Sequence, residues 1–225
     1  MYDLIVIGAG SGGVRAARIA AGLGARVAIV ESRFFGGTCV NVGCVPKKLF
    51  AYAAEFPGLF EQARDFGFEP GAAGQAPELD WARLRDNKTR AIERLNGIYE
   101  RMLAQAGVEI FVGHGRIETA NRVSVTAEDG TCETLTGQHL LVATGGKPHV
   151  PDVPGRELAL ISDDLFFLPQ LPRRVAVVGG GYIATEFASI LHGLGVQVQQ
   201  LYRGELFLRG FDEDIRTFVA EQMRE

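Results

Sequence analysis

Near its N-terminus the chain reads Asp3-LIVIGAGSGGVRAARIAAGLGARVAIV-Glu31. Two apolar runs, Asp3–Ile7 and Arg26–Glu31, flank a glycine cluster and an alanine-rich segment, Val14–Leu23, that reads as a helix. Strand, tight turn, helix and second strand make a βαβ unit. Gly8, Gly10 and Gly13 fit G-x-G-x-x-G. The first permits the tight turn, the second lets backbone approach a pyrophosphate, and the third lets the helix pack on the strand. Ser11 and Gly12 lie at the helix N-terminus, whose N–H groups and partial positive charge suit phosphate. Glu31 ends the second strand, where a carboxylate accepts from ribose hydroxyls. A glycine-rich turn alone need only link strand to helix. With strand, helix and acid in register, the unit reads as dinucleotide-binding.

The chain has 225 residues, 47% of them hydrophobic, enough for one large domain or one plus part of a second. A net charge of −4 with mixed signs argues against nucleic acid as partner. No apolar run approaches a membrane span, and the N-terminus has no basic flank or small-residue cleavage site. The expected compartment is the cytoplasm. Three cysteines are too few for a structural disulfide framework.

Further along, Cys39–Phe56 reads as a helix with Pro46 in an early turn and Pro57 as its stop. Gly67–Glu78 reads as a loop and Trp81–Ala106 as a long helix. Glu109–Val112, Arg116–Thr119 and Arg122–Thr126 read as short strands, with Asp129-Gly130 as a hairpin turn. His139–Ala143 reads as a buried strand closed by Thr144-Gly145-Gly146, and Pro148 to Pro154 as a linker. A second βαβ opening follows: strand Arg174–Val178, turn and helix Gly179–Leu194, strand Val196–Tyr202, then a helix from near Phe211. The expected architecture is an α/β dinucleotide-binding domain over 1–150, a linker over 151–172, and part of a second Rossmann-like domain over 173–225. Open α/β domains usually hold five or six strands, so the chain is expected to be a fragment or truncated product.

The second motif is Gly36-Gly37-Thr38-Cys39-Val40-Asn41-Val42-Gly43-Cys44-Val45-Pro46-Lys47-Lys48. No second Cys or His pair stands at ligand spacing, so no metal is expected. Buried structural thiols are one reading. A redox disulfide is favoured, because thiolates are stabilised near a helix N-terminus and one thiol can attack an external disulfide while the other resolves it.

Gly36–Lys48 behind Gly8–Gly13 resembles the pyridine nucleotide–disulfide oxidoreductases, and most closely the members that reduce glutathione disulfide. The resemblance runs along essentially the whole chain. It implies FAD in the first domain, NADPH in the second, and electrons passing from NADPH through flavin to Cys39–Cys44 and on to glutathione disulfide. It implies that Cys44 lies beside the flavin and forms the charge-transfer thiolate, that Cys39 is the interchange thiol, and that Lys47, rather than Lys48, sits near the flavin and pairs with Glu186. Thr38, Gly115, Thr144 and Gly145 are implied flavin contacts, and Ser11, Arg18 and Tyr99 implied glutathione contacts. Arg15 and Arg18 disfavour a cationic substrate. Without the resemblance, Arg18 reads as surface charge, Tyr99 as core and the two lysines as a solvated pair.

Gly179-Gly180-Gly181-Tyr182-Ile183-Ala184 is a second fingerprint, G-x-G-x-x-A. Tyr202, not an acid, ends its second strand, and Arg203 and Arg209 follow. An acid repels a 2′-phosphate; arginines bind it as charge-assisted donors, so NADPH is favoured over NADH. The resemblance makes Tyr182 a gate over the nicotinamide pocket. It also implies a homodimer and a catalytic His–Glu pair in a C-terminal domain. His114, His139, His149 and His192 fit no catalytic pattern, and Cys132 reads as a bystander. The readings that stand are a glutathione-disulfide reductase represented by its front half, a related disulfide reductase of different substrate, or an incomplete flavin-binding module without turnover.

Overall fold

The computed structural model describes residues 1–68 and 77–224. It is a mixed α/β structure dominated by parallel strands. Most of the loop expected over 67–78 lies outside the described residues. The chain divides into two compact units, Met1–Pro46 with Asn87–Asp163, and Lys47–Asp86 with Asp164–Glu225.

In the first unit, β1 (Tyr2–Ile7), β2 (Val27–Glu31) and β3 (Glu109–Val112) pair in parallel, flanked by β4 (His114–Thr119), β5 (Arg122–Thr126) and β6 (Cys132–Val142) in the order β3-β2-β1-β6-β5-β4. Strand period 2 sends alternate residues to opposite faces. Val6, Val27 and Ile29 pack with Val14 and Ala17 of α1 (Ser11–Gly22), Phe35 and Leu103 of α4 (Trp81–Gln105). Ile5, Ile7, Ala28 and Val30 pack on the opposite face with Val123, Val125 and Leu135. Both faces are covered, which is why β1 and β2 read as unbroken apolar runs rather than alternating ones. Ile5, Val6 and Ile29 are fully buried; each such side chain contributes about 1.5–3 kcal/mol.

β6 is longer than the expected His139–Ala143. Its first half pairs antiparallel with β5, and from Gly137 onward it pairs parallel with β1. Only Leu135 and Gly137 of Cys132–Val142 are buried. Apart from Leu135, which packs with Val123 and Val125, that first half is polar and carries little apolar signal; His139–Val142, expected as a buried strand, is exposed or half-buried. Gly137 marks the crossing point, where a Cβ would stand 2.9 Å from the Ile5 side chain. The Asp129-Gly130 turn is present: Gly130 has φ 85°, and the Asp129 carboxylate accepts from Thr131 N–H at 2.9 Å. Bonds from Thr131 hold the Asp129 carboxyl below its usual range.

The expected helix Cys39–Phe56 is two helices, α2 (Gly37–Val42) and α3 (Cys44–Asp65). They part at Gly43, whose backbone approaches Thr38 so closely that a Cβ would lie 2.8 Å from its carbonyl oxygen. Pro57 does not stop α3. Interior proline costs about 3 kcal/mol or more, and the stacked rings of Phe56 and Phe60, 5.9 Å apart, brace the turn that spans it. Pro46 is the third residue of α3, where its missing N–H has no intrahelical partner to lose.

In the second unit, β7 (Arg174–Val178) and β8 (Gln197–Leu201) pair in parallel, with α6 (Tyr182–Gly193) between them in sequence. A short helix, α5 (Ser162–Leu165), precedes them and α7 (Glu213–Gln222) follows, N-capped by Asp212. The core is an aromatic chain: Phe50, Trp81, Phe166 and Phe187 stand ring to ring at 5.1 Å for Phe50–Trp81, 5.7 Å for Phe50–Phe166 and 5.4 Å for Phe166–Phe187. No helix among the described residues is long and apolar enough to cross a membrane.

Candidate functional site

The first glycine turn is built by close backbone approach. Gly8 has φ 104°, and a Cβ there would meet the Ala143 oxygen at 2.4 Å; one on Gly13 would meet the Gly8 oxygen at 1.9 Å. Gly10 N-caps α1 with no side-chain hydrogen bond, and the first turn, Ser11-Gly12-Gly13, holds no acid. Glu31 turns back on this turn: one carboxylate oxygen accepts from Ala9 N–H and the other from Arg33 N–H, each at 2.7 Å. A carboxylate has room for about four acceptor contacts, so capacity remains for ribose hydroxyls. The Ala143–Thr144 backbone abuts Gly8, and Gly145 follows with φ 73°. Gly115, on β4, lies over the ends of β1 and β2, a Cβ there standing 3.1 Å from Ile7 and 3.2 Å from Val30. Bare backbone, a helix start without a side-chain cap and one positioned acid are groups that can receive phosphate and ribose.

The cysteine segment is fastened to that turn. Gly36 N–H donates to Ala9 oxygen at 2.8 Å, and Gly37 (φ 62°) packs so that a Cβ would lie 2.5 Å from Gly10 Cα. Cys39 lies in the first turn of α2 and Cys44 is the first residue of α3; the two are joined as a disulfide with Cα atoms 4.7 Å apart. Cys39 is half-buried, Cys44 and Thr38 exposed. A helix N-terminus stabilises a thiolate, and here each sulfur has one. Ser11 and Arg18 are exposed on α1, whereas Tyr99 is partly buried against the core beside α1.

The second glycine turn has the same frame. Gly179 has φ 147°, and Gly181 N-caps α6. Gly180 lies under the Tyr202 ring, where a Cβ would be 2.4 Å from a ring carbon. Tyr182 and Ile183 open α6, both exposed. One turn on, Glu186 accepts from Lys47 Nζ at 2.8 Å. With both side chains partly exposed, such a pair contributes at most about 1 kcal/mol. Lys48 instead stands over the Tyr52 ring, 5.5 Å from its centroid. Arg203 and Arg209 are exposed, and neither side chain has an ion-pair or hydrogen-bond partner among the described residues.

Several residues that hold these places escape sequence reading. Asn41, between the cysteines, is buried; its amide donates to Phe35 and Gly37 oxygens, both at 2.9 Å, and accepts from Asn96 Nδ2 at 2.9 Å. Asn96 also donates to Phe35 oxygen at 2.7 Å. A buried amide left unpaired costs about 1–3 kcal/mol, so the strap holds α2 to α4. Gln200 donates to Gly179 oxygen at 3.0 Å and to the Thr185 hydroxyl at 3.3 Å. The one available signal was polar residues at otherwise apolar positions: Asn41 within Val-Asn-Val and Gln200 within a strand.

Residues 2–225 match the family described as pyridine nucleotide-disulphide oxidoreductase. The glutathione reductase of Burkholderia cepacia is 49% identical over 223 residues, covering 99% of this chain and 48% of the relative. That of Yarrowia lipolytica is 42% identical over 225 residues, covering 98% and 48%. The chloroplastic/mitochondrial glutathione reductase of Pisum sativum is 46% identical over 222 residues, covering 94% and 39%. The chain spans about half the length of the relatives named, or less.

Proposed function

This chain belongs to the pyridine nucleotide-disulphide oxidoreductase family, and we propose that it serves NADPH-dependent reduction of glutathione disulfide, with FAD on the first glycine turn and NADPH on the second. One observation carries the reading: the Cys39–Cys44 disulfide is anchored by Gly36 and Gly37 to the backbone of the dinucleotide cradle. A redox pair built onto a nucleotide turn is what electron transfer from bound cofactor to disulfide requires.

Gly8, Gly10, Ser11, Gly12, Gly13, Glu31, Thr38, Gly115, Thr144 and Gly145 would hold FAD; bound flavin supplies two-electron transfer between nicotinamide and disulfide. Gly179, Gly180, Gly181, Tyr182, Ile183, Arg203 and Arg209 would hold NADPH. Two electrons and two protons convert the Cys39–Cys44 disulfide to two thiols. The Cys39 thiolate attacks one sulfur of glutathione disulfide, forming a mixed disulfide and expelling one glutathione thiolate, which takes a proton. The Cys44 thiolate then attacks Cys39 sulfur, re-forming the pair and expelling the second. Helix N-termini at both sulfurs favour the thiolates these steps need. The Lys47–Glu186 pair fixes an ammonium one helical turn beyond Cys44. Ser11, Arg18 and Tyr99 would contact glutathione, Arg18 through a carboxylate.

We keep 1–150 as the flavin domain, 151–172 as linker and 173–225 as nicotinamide-nucleotide domain, because Cys44 and Lys47 share one helix although Lys47–Asp86 groups with the second unit. The whole protein would act as a cytoplasmic homodimer. The test is NADPH oxidation dependent on glutathione disulfide in the whole protein. Replacing Cys39 or Cys44 with serine should abolish it; turnover surviving either change would refute the assignment.

A further inference from the structure

The segment joining β8 to α7 carries both Arg203 and Arg209 and makes few side-chain contacts of its own, yet it is held at two points. Leu208 is buried and sits at φ 59°, the only non-glycine residue with positive φ among those described. Its N–H donates to Gly180 oxygen at 2.6 Å, which ties the segment to the middle glycine of the second fingerprint. A left-handed leucine is unfavourable and persists only where its surroundings fix it. The second holding point is Arg216, one turn into α7. Its Nε donates to Phe207 oxygen at 2.8 Å and its Nη2 to Leu206 oxygen. The Asp212 carboxylate, accepting from Asp214 and Ile215 N–H groups, fixes the helix start from which Arg216 reaches back.

We propose that Arg216 is a positioning residue for 2′-phosphate recognition: its guanidinium clamps the Leu206 and Phe207 carbonyls and so sets Leu208 and the adjacent Arg209 against the Gly180 turn. The inference rests on reading Arg203 and Arg209 as the phosphate contacts. It adds a residue whose own donors go to backbone. A planar fork spans two successive carbonyls, which a single ammonium cannot do. Without the clamp, Leu208 relaxes from its left-handed conformation, its bond to Gly180 weakens and Arg209 loses its fixed origin. Binding of the adenosine 5′-phosphate half, which uses the glycine turn and helix start, is left in place.

The test is calorimetric titration of the chain with adenosine 2′,5′-bisphosphate and with adenosine 5′-monophosphate, alongside hydrogen exchange at the Leu208 amide. The native chain should prefer the bisphosphate, and replacing Arg203 and Arg209 with glutamine should abolish that preference. If either expectation fails, the phosphate reading itself falls and this inference with it. Given both, Arg216→Met should lower the preference about ten-fold and speed Leu208 exchange, with monophosphate affinity unchanged. Arg216→Lys keeps the charge, is the milder change for folding, and should lose most of the preference too. A lysine variant that keeps full preference would mean that charge, not the clamp, matters. Equal weakening of both ligands, or an unchanged preference in Arg216→Met, would equally overturn the proposal.

Discussion

The two glycine turns share one backbone frame and differ most in charge at the residue that follows their second strand's inward run, Glu31 in one and Tyr202 in the other. Gly8 and Gly179 both take positive φ, and both donate to the strand ahead, Gly8 to Val30 at 2.8 Å and Gly179 to Leu201 at 2.9 Å. Both helices are N-capped by glycine and end on leucine near φ −89° and −85°, with Gly24 and Gly195 left-handed behind them. In the first turn, Ala9 N–H is taken by Glu31. In the second, the corresponding Gly180 lies beneath Tyr202, and its carbonyl accepts from Leu208. A common backbone frame is thus given different electrostatic character at the end of its second strand, by Glu31 as the last residue of β2 and by Tyr202 and the arginines just after β8. An anchored carboxylate suits ribose hydroxyls; an uncharged ring followed by two exposed guanidinium groups suits a phosphate.

The largest expected effect separates the turns by packing. Gly13→Ala drives a Cβ into the Gly8 carbonyl and should cost about 3 kcal/mol or more. The corresponding residue of the second turn is already alanine, and Ala184→Gly should cost only about 1 kcal/mol, the helical propensity difference. Chemical denaturation of the two variants measures both, and equal losses would remove this packing contrast between the turns.

Next comes the charge contrast. Replacing Arg203 and Arg209 together with glutamine in the whole protein should weaken NADPH far more than NADH. Each charge-assisted contact is worth about 1.5–3 kcal/mol, and the two need not add because they act on one phosphate. Steady-state KM values for both nucleotides decide it: a parallel rise means the arginines hold something else. Tyr202→Glu, which gives the second turn the first turn's acid, should shift preference towards NADH by about ten-fold or more, since like charge disfavours the phosphate.

The smallest effect lies at the start of β1. Burial, together with a hydrogen bond from Tyr2 to Glu109, pushes the Tyr2 hydroxyl up to about 12 from 10.0. A raised value stabilises the fold fully below pH 10 and loses that contribution as pH rises towards 12. Phenolate absorbance should show one tyrosine ionising last, and Tyr2→Phe should flatten the alkaline loss of stability.

Most of this was written in the chain because the physics is local. The glycine spacing, the apolar runs of β1 and β2 and the cysteine pair each act within a few residues. What escaped is long-range. Nothing near Pro57 announces that Phe56 and Phe60 stack across it, and the first half of β6, polar apart from Leu135, is set by its ladder with β5. Asn41 finds Asn96 on a distant helix, and Leu208 takes a conformation its side chain disfavours because Gly180 and Arg216 hold it. The cofactor and substrate assignments of Ser11, Arg18 and Tyr99 rest on resemblance, since three exposed or partly buried side chains carry no distinguishing geometry.

The central claim is that electrons from NADPH reach the disulfide seated on the first turn. The direct measurement is thiol labelling with peptide mapping in the flavin-loaded whole protein, before and after anaerobic addition of NADPH. Cys132 is exposed and free and serves as the internal control, labelled in both samples. No label is expected on Cys39 and Cys44 before NADPH, and full label on both afterwards. Label on the pair before reduction, or none after NADPH, would contradict it.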